Sequence, residues 1–285
     1  MDGPTAWRTL GLTAVAMVAF AANSLLCRLA LQGQAIDPAS FGSVRLLSGA
    51  LVLALLVRLR AGAAPAARRD WVAASMLWLY VACFSYAYLW LSAGTGALVL
   101  FGAVQLTMFG VGLARGERFS AAAWAGLALA VGGLVALVLP GVSAPSPAGA
   151  ALMALAGLAW GVYTLRGRGA GDPTAVTAGN FLRAAPLALA LSVLMAAHFH
   201  ASARGIVLAA ASGALASGLG YAVWYAALRG LSALRAATVQ LSVPPLAALG
   251  GVLWLSEPLT TRLAASSLAI LGGIAIVLAS RARMR

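Results

Sequence analysis

Lysine is absent from this chain and acidic residues are scarce: against 19 arginines stand only Asp2, Asp37, Asp70, Glu117, Asp172 and Glu257. Charged residues make up 9% of the 285, where a soluble domain carries about 25%. That shortage excludes a water-soluble globule, because a large share of any such molecule must face solvent. Cysteine is scarce too. Cys27 and Cys83 lie in apolar segments, form no C-x-x-C pair and report nothing about redox compartment. The only histidines, His198 and His200, sit together in a short polar stretch, where they offer two metal ligands and no third, so a solvated loop is expected and no metal. No G-x-S-x-G, H-E-x-x-H or glycine-rich phosphate loop occurs. The chain does not read as an enzyme, and no cofactor is expected.

What is present in quantity is apolar. Hydrophobic residues make up 62%, with a mean hydropathy of +0.96, against roughly 45–50% in soluble domains. Runs long enough to span a bilayer, at about 20 residues each, occur near 7–31, 39–59, 71–91, 95–113, 119–139, 148–165, 173–196, 205–228, 236–255 and 261–279. The separators carry turn chemistry: Asp37-Pro38, Arg68-Arg69-Asp70, Gly94-Thr95-Gly96, Gly141 to Gly149 and Glu257-Pro258. Ten spans leave no room for a soluble domain. The expected class is an all-α polytopic membrane protein with the lipid bilayer as its surroundings. A formal charge of +13 would suit nucleic acid if it were clustered. Here the arginines are spaced between apolar runs, so no nucleic-acid partner is expected. Ala19-Phe20-Ala21 resembles a signal-peptide cleavage site, but the flank carries only Arg8 against Asp2 and the apolar stretch runs past it. The first run is expected to stay as a span.

Arginine placement sets the orientation. With the N-terminus inside, the inner loops and tails hold Arg8, Arg58, Arg60, Arg68, Arg69, Arg115, Arg118, Arg166, Arg168, Arg229, Arg235, Arg281, Arg283 and Arg285, and the outer loops only Arg204 and Arg262. Both termini are therefore expected in the cytoplasm, with the chain in the cell inner (plasma) membrane. The halves also resemble each other. At an offset of 135 residues, Asp37-Pro38 recurs as Asp172-Pro173, Tyr86-Ala87 as Tyr221-Ala222, and Val104-Gln105-Leu106-Thr107 as Val239-Gln240-Leu241-Ser242. Further along, at an offset of 140, Glu117 matches Glu257 and Gly132-Gly133 matches Gly272-Gly273. Five helices per half is an odd number, so the second half must be inverted. The charges agree: Arg115 and Arg118 of an inner loop become Leu255 and Pro258 of an outer one. Two inverted five-helix repeats are expected, residues 1–140 and 141–285. Such repeats give alternating access to a site near the midplane, a transporter device. Pro244-Pro245 within span nine is expected to break the helix as a hinge.

These residues resemble a family. Two inverted five-helix halves, an acidic residue opening the fifth and tenth spans (Gly-Glu-Arg-Phe-Ser at 116–120, Ser-Glu-Pro-Leu-Thr at 256–260), a Gly-Gly pair within each, Arg45 in span two and Trp160-Gly161 in span six are similar to the EamA-type drug/metabolite transporter superfamily. The resemblance implies transport of small metabolites, with bacterial amino-acid exporters, including the aromatic amino-acid branch, as the nearest functional match. Exporters of other metabolites or of drugs are the alternative. Span four departs from the aromatic branch, since Leu100-Phe101-Gly102-Ala103 lacks the Tyr- and Trp-containing motif expected there. A monomer is expected.

Ionisable groups inside a membrane are costly and mark functional sites by default. Arg45 is the candidate for a gate or for a substrate carboxylate, while it, Arg28 and Arg183 could instead snorkel to an interface. All six acids fall in tails or loops, so no buried carboxylate is expected as a proton relay or sodium ligand. Movement down the substrate gradient, without obligatory ion coupling, is the expectation. A zwitterionic substrate then needs amides, hydroxyls and ring faces. Asn23, Gln105 and Gln240, with Trp78, Tyr86, Phe101, Trp160, Tyr163 and Tyr221, are the expected lining of a central cavity. Trp7, Trp71, Trp90 and Trp254 read as interfacial belts.

Overall fold

The computed structural model describes residues 4–59, 69–141, 144–167, 172–231 and 233–282. Arg60, Arg68, Arg168, Arg283 and Arg285, counted in the orientation above, lie outside these. The described chain is a helical bundle. Its elements are α1 (Pro4–Gln32), α2 (Pro38–Arg58), α3 (Trp71–Ala87), α4 (Ala93–Ala114), α5 (Ala121–Val138), α6 (Pro147–Gly167) and α7 (Pro173–Leu194), then α8 (Ala203–Ala211), α9 (Gly220–Leu228), α10 (Ala233–Gln240), α11 (Val243–Leu255) and α12 (Thr261–Ala282). A π-helical stretch, Ser212–Leu219, joins α8 to α9 into one span. Among the described residues, nine segments are long and apolar enough to cross a membrane, and α3, at 17 residues, is a shorter tenth. In hydrocarbon every backbone N–H and C=O must be paired within the chain, which helices achieve without help.

Local chemistry explains the starts. Asp37 and Asp172 cap α2 and α7 through Ser40 N–H and Thr174 N–H, each followed by proline in the first helical turn, where its missing N–H is no loss. Asp70, Ser92, Ser120 and Ser202 do the same for α3, α4, α5 and α8. The helices pack in cross pairs: α2 on α7, α5 on α12, α4 on α11, α1 on the α8–α9 span, and α3 on α6. Small residues allow the contacts. Gly157 and Gly161 of α6 meet Ala103 and Thr107 of α4, and Gly126 meets Gly273 between α5 and α12. Leucines such as Leu51, Leu253 and Leu268 cover the outside, as lipid contact requires.

Three expectations change in detail. Span three stops at Ala87 instead of running to Leu91, because the chain turns at Tyr88–Trp90. Span nine is discontinuous: α10 ends at Gln240, and Pro244-Pro245 open α11 at its first turn, so the prolines start a helix and do not interrupt one. Span eight contains the π-helical stretch, for which no local residue pattern is diagnostic.

Candidate functional site

Arg45 is 0% exposed on α2, so it does not snorkel. Its Nε donates to Ser217 Oγ at 3.2 Å and its Nη2 to the Tyr80 hydroxyl at 3.0 Å. The guanidinium carbon lies 5.2 Å from the Tyr80 ring centre and 5.0 Å from that of Phe84. Among the described residues its Nη1 has no partner. An arginine cannot shed its proton, and a buried charge is normally paired; among the described residues no carboxylate meets this one.

The π-helical stretch holds Arg45 in place. Ser212 Oγ donates to Asn23 Oδ1 at 2.8 Å, and Ser217 Oγ approaches the same oxygen at 3.4 Å. Residues five apart lie about 140° apart around an α-helix; the wider π turn brings both hydroxyls to one side. Gly213 lets this stretch close on α2, for a Cβ there would collide with the Arg45 carbonyl and Ser48 Oγ. Asn23 thus acts on Arg45 through Ser217.

Trp160 of α6 is the centre of a ring cluster. Its ring centre lies 4.9 Å from Tyr80, 5.2 Å from Tyr163 and 5.5 Å from Tyr221, the last two stacked on it. Phe20 and Phe181 close on Tyr221 at 5.8 and 6.1 Å. Tyr163 sits beside Asn180 and Thr177, and Thr177 shares a 2.9 Å hydrogen bond with the Tyr225 hydroxyl. Asn180 is 3% exposed, and among the described residues its Oδ1 has no partner.

Of the expected residues, the structure brings together Asn23, Arg45, Trp160, Tyr163 and Tyr221. Tyr86 is not mid-span: α3 ends one residue later, which puts Tyr86 beside Asp37 at the end of the bundle away from the chain termini, here called the distal end. Gln105 and Gln240 are half-buried, and Phe101 is buried on α4. No hydrogen bond or ring contact among the described residues joins these three to the cluster. Trp78 is half-buried with its Nε1 unpartnered. Sequence reading missed Tyr80, Phe84, Ser217 and Asn180.

Two acids correct the expectation that no carboxylate is buried. Asp37 is 4% exposed, with its oxygens on Ser40 N–H and His200 N–H at 2.9 and 3.3 Å. Glu257 takes the Arg28 guanidinium at 3.1 Å and the Ala93 N–H, at the start of α4, at 2.8 Å. Ser256, in a left-handed turn (φ +53°), folds Glu257 back so that its N–H reaches Gly251 O. Arg28 Nη1 also donates to the Tyr88 and Leu89 carbonyls, so Arg28 is paired and does not snorkel. The Arg183 guanidinium lies over Gly179, one turn back along its own helix. Both buried acids are at the distal end and outside the ring cluster. There the Ile36–Ala201 bridge and the Ser202 N–H to Ala35 O bond tie the two halves together. His200 joins this through its backbone, and its ring Nδ1 lies 3.2 Å from His198 O.

Comparison with known proteins decides the family. Residues 147–279 match the EamA-like transporter family. The chain belongs to that family. A relative from Pseudomonas aeruginosa, named "Uncharacterized protein PA1977", is 59% identical over 278 residues, 96% of each chain. A solved structure, titled only as the crystal structure of a protein, is 21% identical, covers 94% of this chain and 97% of its own, and has a TM-score of 0.67; it shows the fold. Membership in the EamA-like family places the chain in the drug/metabolite transporter superfamily, whose members carry small molecules across a membrane.

Proposed function

We propose that this EamA-like transporter exports small neutral amino acids with apolar or aromatic side chains from the cytoplasm across the inner membrane. The observation that carries the reading is Arg45, a buried cation without an acid, set beside a cluster of rings. Uncharged walls that stack and one fixed positive group suit a compact molecule with a carboxylate and an apolar side chain. Phosphorylated substrates would want several convergent cations, and Arg28 is engaged by Glu257. A cationic drug would be repelled by Arg45.

Alternating access between residues 1–140 and 141–285 as inverted repeats is supported by the packing. Replace each span by the one five places on, and α2–α7, α4–α11 and α5–α12 map onto themselves, while α1 on the eighth span maps onto α6 on α3. With both termini cytoplasmic, the distal end faces outward and its ties form the closed outer side. Gln105, Gln240, Phe101 and Trp78 line the path when the halves part, and the α10–α11 break at Leu241-Ser242, with Pro244-Pro245 opening α11 directly after it, is the hinge. Both buried acids have their oxygens occupied by N–H donors away from the rings, so transport runs without obligatory proton or sodium coupling. One chain holds the whole site, so a monomer suffices. The test is flux of a labelled amino-acid panel in proteoliposomes. Leucine and phenylalanine are expected to move, with lysine and glutamate far slower. Movement of cationic drugs but of no neutral amino acid would transfer the reading to drug export, and uphill accumulation driven only by a proton or sodium gradient would remove the uncoupled mechanism.

A further inference from the structure

Glu117 and Glu257, the acids that precede α5 and α12, stand in two copies of one turn. Each follows a residue in the left-handed region, Gly116 (φ +79°) and Ser256 (φ +53°). Each then folds back so that its N–H reaches a glycine carbonyl of the helix just ended, Gly112 O and Gly251 O, both at 3.0 Å. The turns lie at opposite ends of the bundle, since Glu117 follows the last turn of α4 and Glu257 meets its first. The two side chains differ. That of Glu257 is 9% exposed and reaches into the other half, taking Arg28 of α1 on Oε1 and the Ala93 N–H that opens α4 on Oε2. Glu117 is exposed, at the end that carries the chain termini.

We propose that these acids are alternating latches: Glu257 holds the outer side shut in the conformation seen here, and Glu117 holds the inner side shut in the opposite one. The inference rests on the inverted-repeat reading above and assigns its gating residues. The offset of 140 that carries Glu117 to Glu257 also carries Ala93, the first residue of α4, to Ala233, the first residue of α10. The bond from Ala93 N–H to Glu257 therefore has an image with the halves exchanged, from Ala233 N–H to Glu117. Both place a carboxylate at a helix N-terminus, where unpaired N–H groups and the helix dipole favour negative charge. A latch of this kind reads as a difference between states. Without the Glu257 carboxylate, Arg28 is a stranded charge while the outer side is shut, and water meets it when that side opens. Loss of Glu257 thus shifts the population towards the outward-open state, and loss of Glu117 shifts it towards the conformation seen here.

A thiol at Ser43 tests this. Ser43, near the distal start of α2, is 5% exposed, and its Oγ lies 2.8 Å from that of Ser192 on α7, so it is shielded while the outer ends of the halves are together. In spheroplasts a membrane-impermeant maleimide reaches the full-length protein only from outside. The labelling rate of Ser43→Cys, corrected for Cys27 and Cys83 by the same chain without it, reads how often the outer side opens. Glu257→Gln is expected to raise that rate about tenfold or more and Glu117→Gln to lower it, with the double variant between them. If Glu257→Gln fails to fold, Arg28→Gln/Glu257→Gln, which strands no charge, should raise the rate in its place. A merely structural role would move both single variants in one direction. That result, or a rate for the Glu257 variants equal to the parent's, would overturn the latches. Opposed shifts without amino-acid flux in proteoliposomes would overturn the substrate and leave the latches standing; flux with unchanged labelling would do the reverse.

Discussion

Arg28 and Glu257 are held very differently from Arg45, since each has its opposite charge in contact at 3.1 Å while both are largely withdrawn from solvent. Glu257→Gln keeps the shape but leaves Arg28 uncompensated, and breaking such a pair from one side costs about 3–5 kcal/mol, much of which is the stranded charge. Thermal denaturation should show a clear fall for Glu257→Gln and substantial recovery in Arg28→Gln/Glu257→Gln; a single variant as stable as the parent would contradict the pairing. Asp70 is a milder case. Burial pushes its carboxyl up, but hydrogen bonds from the Ala73 N–H and the Arg166 guanidinium outweigh that and hold it below the ordinary carboxylate value. A depressed folded value means stability present above the unfolded value of about 3.9 and lost as pH falls through the folded one. Because Arg166 is well exposed, the pair is worth about 0–1 kcal/mol. The stability difference between parent and Arg166→Gln should therefore persist at pH 5–7 and vanish towards pH 3; a difference that grows on acidification would be the wrong sign. At this scale the sequence was partly readable. Arg45 and Asn23 stand out as polar groups in apolar runs. Tyr80, Phe84 and Tyr88, spaced four apart on one helix face, were the available signal for the ring beside Arg45, and Trp78 and Tyr86 lie off that stripe. Asn180 was legible only through its offset from Arg45.

Helix starts were the most legible elements, because Asp-Pro and serine caps state their geometry locally. The π-helical stretch was not, since its stability comes from contacts made elsewhere: Gly213 against α2, and Ser212 and Ser217 against Asn23. Gly213→Ala would push a methyl group into the backbone of α2, which cannot turn aside as a side chain can. A loss of about 1–3 kcal/mol is expected, with amino-acid flux falling alongside because Ser217 no longer holds Arg45. Gly132→Ala is the control: nothing lies within 4 Å of the added carbon, and removing a helical glycine should stabilise by about 0.5–1 kcal/mol. Denaturation midpoints that move together in both variants would mean that the π-helical stretch is not specially packed. Pro244-Pro245 was readable as a break, but not as the beginning of α11, because nothing in the local sequence says that α10 ends three residues earlier.

The number of spans and the bilayer setting followed from apolar runs, since a chain so poor in charge has no other solvent. Shared offsets and swapped arginines are the signals from which inverted halves are proposed, while the gathering of the rings needed the packing of α3 on α6 and α2 on α7. Reporter fusions after Met284 and within 141–149 should read cytoplasmic and external respectively; a C-terminus found outside would remove the inverted arrangement. The central claim, amino-acid export through the Arg45–Trp160 site, is tested most directly by counterflow. Proteoliposomes carrying the purified protein and loaded with unlabelled phenylalanine are given the labelled amino acid outside, with no ion gradient imposed. The predicted result is stimulated uptake by the parent, reduced about tenfold or more by Arg45→Gln and by Trp160→Ala, a loss worth about 1.4 kcal/mol. Uptake no faster than in protein-free liposomes, or undiminished in both variants, would contradict it.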